Sequence, residues 1–86
     1  MTIHFHTRFK KQLQTAPTKI QAALYERLGS FQRDPFDSRL SNHALQGMYL
    51  GYRSIDVTGD WRAIYKVLSD DAFVFLFLGT HSQLYR

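Results

Sequence analysis

The spacing of apolar residues divides the chain into a helical front part and a strand-rich back part. Phe5, Phe9 and Leu13 recur every four residues, as on one face of a helix, although residues 2–6 also alternate like a short strand. Pro17 suits the first turn of a second helix, and its apolar stripe follows at helical spacing: Ile20, Ala23, Leu24, Leu28 and Phe31. The pattern predicts a helical hairpin.

The back part contains three apolar runs that are rich in β-branched and aromatic residues. They cover residues 52–57, 61–68 and 73–78, and the short polar segments between them suit hairpin turns. Residues 34–37 form a turn signal that separates these runs from the helices. The last run is apolar at every position, so we expect a central strand, covered on both faces and flanked by the other two. The sequence predicts one α+β domain over residues 1–86, with a small antiparallel sheet backed by an N-terminal helical hairpin.

The composition indicates the cellular environment of this domain and the class of partner that it binds. Eleven Lys and Arg against seven Asp and Glu give a net charge of +4 and a pI of about 9.7, a balance typical of proteins that meet polyphosphates. The absence of Cys excludes disulfides and thiolate metal sites and fits a reducing cytoplasm. Residues 72–78 are too short an apolar run to cross a bilayer, and residues 1–11 lack the apolar core of a signal peptide. We therefore expect a cytoplasmic protein with no membrane partner.

Three polar side chains occupy predicted loops where strands end, which is where sites on a rigid sheet usually lie. They are His43 after the helices, Asp60 in the first hairpin and His81 just beyond the last run. RNA cleavage without a metal needs a base for the ribose 2′-hydroxyl proton, an acid for the leaving 5′-oxygen and positive charge on the phosphate. Histidine serves in both proton roles near neutral pH. A single loop histidine more often only faces solvent, so the alternative for each one alone is a surface residue.

Basic residues on the predicted strands are candidates for phosphate binding. Arg53, Arg62 and Lys66 lie within or beside strands, and Arg62 and Lys66 have the parity to share one face. Arginine binds phosphate through two parallel hydrogen bonds, although a solvated outer face of the sheet explains the same pattern. His4 and His6 alternate without a third ligand nearby, so we expect no metal site. The sequence also contains no glycine-rich phosphate loop, and we expect no cofactor.

Four short motifs together resemble the RelE/ParE toxin superfamily, and most closely its YafQ branch. They are His-x-Leu-x-Gly at residues 43–47, Gly-Tyr-Arg at residues 51–53, Asp-Trp at residues 60–61 and Gly-Thr-His at residues 79–81. The resemblance covers about half of the chain closely, and the preceding helical hairpin matches in layout only. It implies a RelE-like fold and a type II toxin that cleaves mRNA on the ribosome and leaves a cyclic phosphate.

The resemblance also implies roles for individual residues. The catalytic residues would be His43, Asp60, His81 and Tyr85. The substrate-binding residues would be Arg53, Arg62, Lys66 and Asp56. In this set, His81 would act as acid or base, Asp60 would orient a histidine, and His43 would share the proton transfer. Which histidine is the acid and which the base stays open.

Two positions depart from the YafQ pattern. Asp56 stands where that branch has an active-site histidine, and Phe77 stands where a basic residue often lies. The first change adds a carboxylate that repels phosphate, and the second removes positive charge. Two alternatives to a nuclease therefore stay open.

One alternative is a ParE-like toxin that inhibits DNA gyrase without cleavage, against which the pair of histidines argues. The other is an inactive relative that binds only its antitoxin. In each case we expect a cognate antitoxin as partner in a heteromeric complex. An active nuclease would also meet mRNA on the ribosome.

Overall fold

The structure, a computed structural model, describes residues 1–85 and contains a five-stranded sheet with two helices packed on one face. The strands are β1 (Thr2–Phe5), β2 (His43–Ala44), β3 (Arg53–Asp56), β4 (Trp61–Ser69) and β5 (Ala72–Thr80). The helices are α1 (Thr7–Thr15), α2 (Thr18–Arg33) and the short α3 (His81–Leu84), and the 3₁₀ turns Ser38–Leu40 and Gly47–Tyr49 lie on either side of β2. No helix within the described residues is both long enough and apolar enough to span a membrane. This arrangement confirms the predicted fold class and the helical hairpin.

The chain begins as a strand and becomes helical at Thr7. Thr2–Phe5 form β1, which pairs with β5, so the strand interpretation is confirmed for these residues. His6 ends the strand and caps α1, since its Nδ1 accepts a hydrogen bond of 3.1 Å from the backbone N–H of Arg8. The turn from strand to helix therefore takes a single residue.

The strand β5 lies inside the sheet, in the order β1-β5-β4-β3-β2. β1 runs parallel to β5, and the other neighbouring pairs are antiparallel. The prediction that the last run is an inner strand is confirmed. The prediction that the other two runs flank it is wrong, because β3 pairs with β4 and β2, and β1 occupies the second side of β5.

The face of the sheet that α1 and α2 cover forms the main hydrophobic core. Phe31 of α2 is fully buried and packs edge-on against Tyr65, Phe73 and Phe75, with ring centroids 5.0 to 5.4 Å apart. The predicted stripe of α2 also buries Ile20, Leu24 and Leu28. Truncating one such large side chain costs about 2 to 5 kcal/mol, so this core holds the sheet rigid beneath its opposite face.

A β-bulge in β5 changes which side chains face each side of the sheet. Tyr65 pairs with Phe75 but Ile64 pairs with Phe77, so Leu76 is an extra residue in the strand. Phe75 before the bulge faces the main core, whereas Phe77 after it joins a second apolar cluster. The bulge therefore puts an aromatic ring on the face that α1 and α2 leave uncovered.

Candidate active site

A cleft of about 420 Å³ opens on the side of the sheet that carries the second apolar cluster. It is lined by His43, Ala44, Leu45, Gln46, Asp56, Arg62, His81 and Tyr85. Five of the eight site residues predicted from the sequence are in this set. The strands β2, β3 and β4 and the helix α3 thus bring together side chains that are far apart along the chain.

The side chain of His43 is held in one orientation by the loop before it. β2 pairs with β3, with His43 opposite Ser54, and the carbonyl oxygen of Ser41 lies 2.8 Å from His43 Nδ1. Ser41 adopts a left-handed φ of 48°, which is uncommon for a residue other than glycine. Because a carbonyl oxygen only accepts hydrogen bonds, Nδ1 carries the proton of this bond. In the neutral ring Nε2 then keeps its lone pair and can take up a proton.

His81 is positioned where β5 ends and α3 begins. Thr80 and Gln83 form a capping box: the Thr80 hydroxyl accepts from the Gln83 N–H at 3.3 Å, and Gln83 Oε1 accepts from the Thr80 N–H at 2.8 Å. The His81 N–H donates to the carbonyl oxygen of Asp60 at 2.9 Å. The His81 ring itself contacts the Tyr85 ring, with centroids 4.8 Å apart. Its backbone is therefore fixed while its ring faces the cleft.

Asp60 supports the site through its backbone. It lies in the turn between β3 and β4, its side chain is exposed, and it does not line the cleft among the residues described. Its carbonyl oxygen holds His81 in place, but across residues 1–85 its carboxylate makes no hydrogen bond or ion pair with a histidine. The structure thus gives Asp60 a contact with His81 that differs from the side-chain contact expected from the resemblance.

Arg62 and Asp56 form an ion pair in the cleft. They are directly opposite each other on β3 and β4, and Arg62 Nε lies 3.0 Å from Asp56 Oδ1. Arg62 Nη1 donates to the carbonyl oxygens of Thr58 at 2.9 Å and Trp61 at 3.1 Å. The two side chains are 17% and 30% exposed, so water screens the pair only in part. The carboxylate that the sequence suggested would repel phosphate instead binds the arginine expected to attract it.

The other two predicted basic residues lie outside the cleft. Arg53 Nε donates to Asn42 Oδ1 at 2.8 Å, and its guanidinium lies 5.3 Å from the ring centroid of Phe36. Lys66 Nζ lies 5.9 Å from the ring centroid of Tyr52, which packs against the second apolar cluster. Lys66 therefore lies beside the second apolar cluster, whereas Arg53 is bound to the loop that follows α2.

Tyr85 connects the cleft to the aromatic rings of Tyr49 and Phe77, of which Tyr49 was not singled out by the sequence patterns. Its ring centroid lies 5.8 Å from that of Tyr49, which lies in the 3₁₀ turn after β2 and in turn contacts Phe77 at 5.4 Å. Tyr85 Oη is buried and has no hydrogen-bond partner within residues 1–85. Neither helical nor strand periodicity marks a residue in such a turn, so Tyr49 carried no signal.

The cleft combines two proton-transfer groups with one cation. His43 offers a lone pair, His81 offers a second imidazole, and Arg62 offers guanidinium N–H donors. Within the described residues no three His, Asp or Glu side chains are grouped so as to hold a metal ion. Such a set can move protons on and off an oxygen bound to phosphorus while a cation contacts the phosphate.

Comparison with known proteins shows that the chain is similar to bacterial toxins. A family model described as bacterial toxin of type II toxin–antitoxin system, YafQ, matches residues 1–86. The mRNA interferase toxin YafQ of Escherichia coli strain K12 is 41% identical over 51 residues, which are 59% of this chain and 54% of that protein. The matched segment therefore spans only about half the length of this relative.

Solved structures extend the similarity over nearly the whole chain. The crystal structure of YafQ from E. coli strain BL21(DE3) has a TM-score of 0.82 at 26% identity, covering 98% of this chain and 97% of that one. The YafQ chain of the E. coli DinJ-YafQ complex has a TM-score of 0.68 at 28% identity, with coverages of 98% and 97%. The fold described above thus has counterparts in toxins that have been crystallised alone and in complex.

Proposed function

This chain belongs to the YafQ family of bacterial toxins of type II toxin–antitoxin systems, and we propose that it is an endoribonuclease that cleaves mRNA on the ribosome. The observation that carries the proposal is the joint presence of His43, His81 and Arg62 in one cleft. The relative from E. coli that is named an mRNA interferase supports the same activity. The net charge of +4 suits a substrate that carries one negative charge per nucleotide.

In the proposed mechanism His43 is the general base. Its Nδ1 proton is engaged by the Ser41 carbonyl, which leaves the Nε2 lone pair to accept the proton of the ribose 2′-hydroxyl. The 2′-oxygen then attacks the adjacent phosphorus. This bond forms while the bond from phosphorus to the 5′-oxygen breaks, so the upstream product ends in a 2′,3′-cyclic phosphate.

His81 is the general acid in the same step. It delivers a proton to the leaving 5′-oxygen, so the downstream product begins with a 5′-hydroxyl. Its contact with Tyr85 and the bond from its N–H to Asp60 restrict where the ring can lie. Arg62 binds the non-bridging phosphate oxygens as negative charge accumulates there.

An antitoxin is the second partner that we propose. The E. coli complex named DinJ-YafQ is a toxin of this fold with another protein bound. A chain with a net charge of +4 is complementary to an acidic segment, and complementary charge speeds association. We propose that the cognate antitoxin covers the cleft in a heteromeric complex in the cytoplasm, where ribosomes and mRNA are found.

Expression of the toxin in growing bacteria, followed by mapping of mRNA 5′ ends, tests the proposed function. We expect new ends within translated regions, arrest of growth, and rescue by the antitoxin. His81→Ala should abolish the new ends at equal protein level. An unchanged pattern of mRNA ends during growth arrest would instead favour an inhibitor such as a ParE-like toxin.

A further inference from the structure

The bulge in β5 leaves one backbone carbonyl available to a side chain from α1. Leu76 is the extra residue of the bulge, and its carbonyl oxygen accepts a hydrogen bond of 3.2 Å from Arg8 Nε. Arg8 is the second residue of α1, directly after the strand β1 that pairs with the first part of β5. The same bulge thus turns Phe77 toward the cleft side and binds Arg8 beside it.

The guanidinium of Arg8 makes a close cation–π contact with the Phe77 ring. Arg8 Cζ is 3.9 Å from the centroid of the Phe77 ring, well inside the range of about 6 Å for such contacts. Across residues 1–85 the Nη atoms of Arg8 make no hydrogen bond or ion pair, and the side chain is exposed. Arg8 is therefore held through Nε and its contact with Phe77, while its Nη groups have no partner among the described residues.

A continuous row of rings connects Arg8 with the cleft. Phe77 contacts Tyr49 at 5.4 Å, Tyr49 contacts Tyr85 at 5.8 Å, and Tyr85 contacts His81 at 4.8 Å between centroids. Aromatic rings in a row are surfaces on which bases of single-stranded RNA stack, and a cation beside them contacts the backbone. Arg8 closes this row at the end away from the two histidines.

We propose that Arg8 binds a phosphate of the RNA other than the scissile one. This inference rests on the proposed function, because it extends the same cleft. Arg8 is separated from Tyr85 by two rings, so it contacts a phosphate elsewhere along the RNA and not the reacting one. It is a substrate-binding residue, and its loss weakens binding and not the chemical step.

Cleavage kinetics on ribosomes programmed with one message test this role. Arg8→Gln keeps a polar side chain but removes the charge, and Lys11→Gln removes one charge from an exposed position of the same helix as a matched control. We expect Arg8→Gln to raise KM by about five- to tenfold with kcat within about twofold, as for loss of one charge-assisted contact. Arg8→Lys should recover part of the loss, and Lys11→Gln should leave KM unchanged.

A second measurement separates the role of Arg8 from the nuclease activity itself. Binding of a single-stranded RNA with 2′-deoxy linkages at the cleavage site is measured across salt concentrations. Arg8→Gln should reduce the slope of log K against log salt by about 0.7, the value for one phosphate contact on a single strand, and Lys11→Gln should not. Equal effects of the two substitutions, or no effect of Arg8→Gln, would overturn the assignment of Arg8. A wild-type protein that binds this RNA with the Arg8-dependent slope but cleaves no message would overturn the proposed function alone.

Discussion

Asp56 and Arg62 face each other across β3 and β4 and form an ion pair of 3.0 Å in the cleft. Arg62 is thereby held by a carboxylate on one side and by two backbone carbonyls on the other. The pair fixes the guanidinium in the cleft but also neutralises part of its charge. A phosphate that binds Arg62 must therefore either displace the Asp56 carboxylate from the guanidinium or share the guanidinium with it.

The first prediction concerns the removal of this carboxylate. Asp56→Asn should lower KM for the message, because the unpaired Arg62 attracts phosphate more strongly. Loss of the charged hydrogen bond should also lower the free energy of unfolding by roughly 1 to 2 kcal/mol. Steady-state cleavage on ribosomes and urea unfolding measure the two effects. Asp56→His should act in the same direction and add a proton donor.

The control for this prediction is Asp71→Asn, which removes a carboxylate that pairs with the N-terminal ammonium at the opposite end of β5. It should leave KM unchanged. A KM that stays constant in Asp56→Asn would mean that Arg62 does not contact the substrate.

A second prediction separates the acid from the base. A message with sulfur in place of the leaving 5′-oxygen needs little help from an acid, because a thiolate is a far better leaving group. His81→Ala should therefore cleave the ordinary message very slowly and the sulfur-containing one at nearly the wild-type rate. His43→Ala should be slow on both, since the 2′-hydroxyl still needs a base. Rescue of His43→Ala alone would reverse the two assignments.

A third prediction concerns the hydroxyl of Tyr85, which is buried without a partner in the part of the chain described. Tyr85→Phe removes an unsatisfied polar group and keeps the ring contacts with Tyr49 and His81. Thermal unfolding should show the same stability or a gain of up to about 1 kcal/mol. Cleavage should stay near the wild-type rate, because a buried Oη does not reach the RNA, and a loss of cleavage would give this hydroxyl the catalytic role that the resemblance implies. Lower stability together with unchanged cleavage would show that the hydroxyl is structural.

A fourth prediction concerns acid stability of the loop that leads to His43. Hydrogen bonds from the Arg39 side chain and backbone to the carboxylate lower the pKa of Asp37 from 3.8 to about 2. A depressed pKa stabilises the folded state above pH 3.8, and this contribution disappears as the pH falls toward 2. Urea unfolding of Asp37→Asn should therefore lack this part of the pH dependence. If Asp37→Asn keeps the wild-type dependence of the unfolding free energy on pH, other carboxylates account for that dependence.

The sequence predicted those parts of the fold that depend on local periodicity. The stripe of α2 appeared at helical spacing, and the buried positions Leu24, Leu28 and Phe31 confirm it. The parallel pairing of β1 with β5 was not predicted, because contacts between strands so far apart leave no local pattern. The bulge at Leu76 was not predicted either, because a run that is apolar at every position has no alternation that an extra residue would interrupt.

The sequence predicted which types of residue form the candidate site, but it predicted only some of the contacts between them. The motifs around His43 and His81 drew attention to both, and the structure brings them to one cleft. The pairing of Asp56 with Arg62 follows from the short turn expected at residues 58–60, because equal strand lengths on either side of that turn put the two opposite each other. The position of this turn in the sequence was therefore sufficient to predict that Asp56 and Arg62 pair. The position of Arg8 depends on the bulge and was not accessible from the sequence.

Analysis of the RNA ends made on purified, programmed ribosomes tests the central claim most directly. Wild-type protein should produce an upstream fragment with a 2′,3′-cyclic phosphate and a downstream fragment with a 5′-hydroxyl, and a single 2′-deoxy nucleotide at the cleavage site should block cleavage. The His81→Ala protein should leave the ordinary message intact. Cleavage of the 2′-deoxy message at the wild-type rate, or fragments that begin with a 5′-phosphate, would contradict attack by the 2′-hydroxyl.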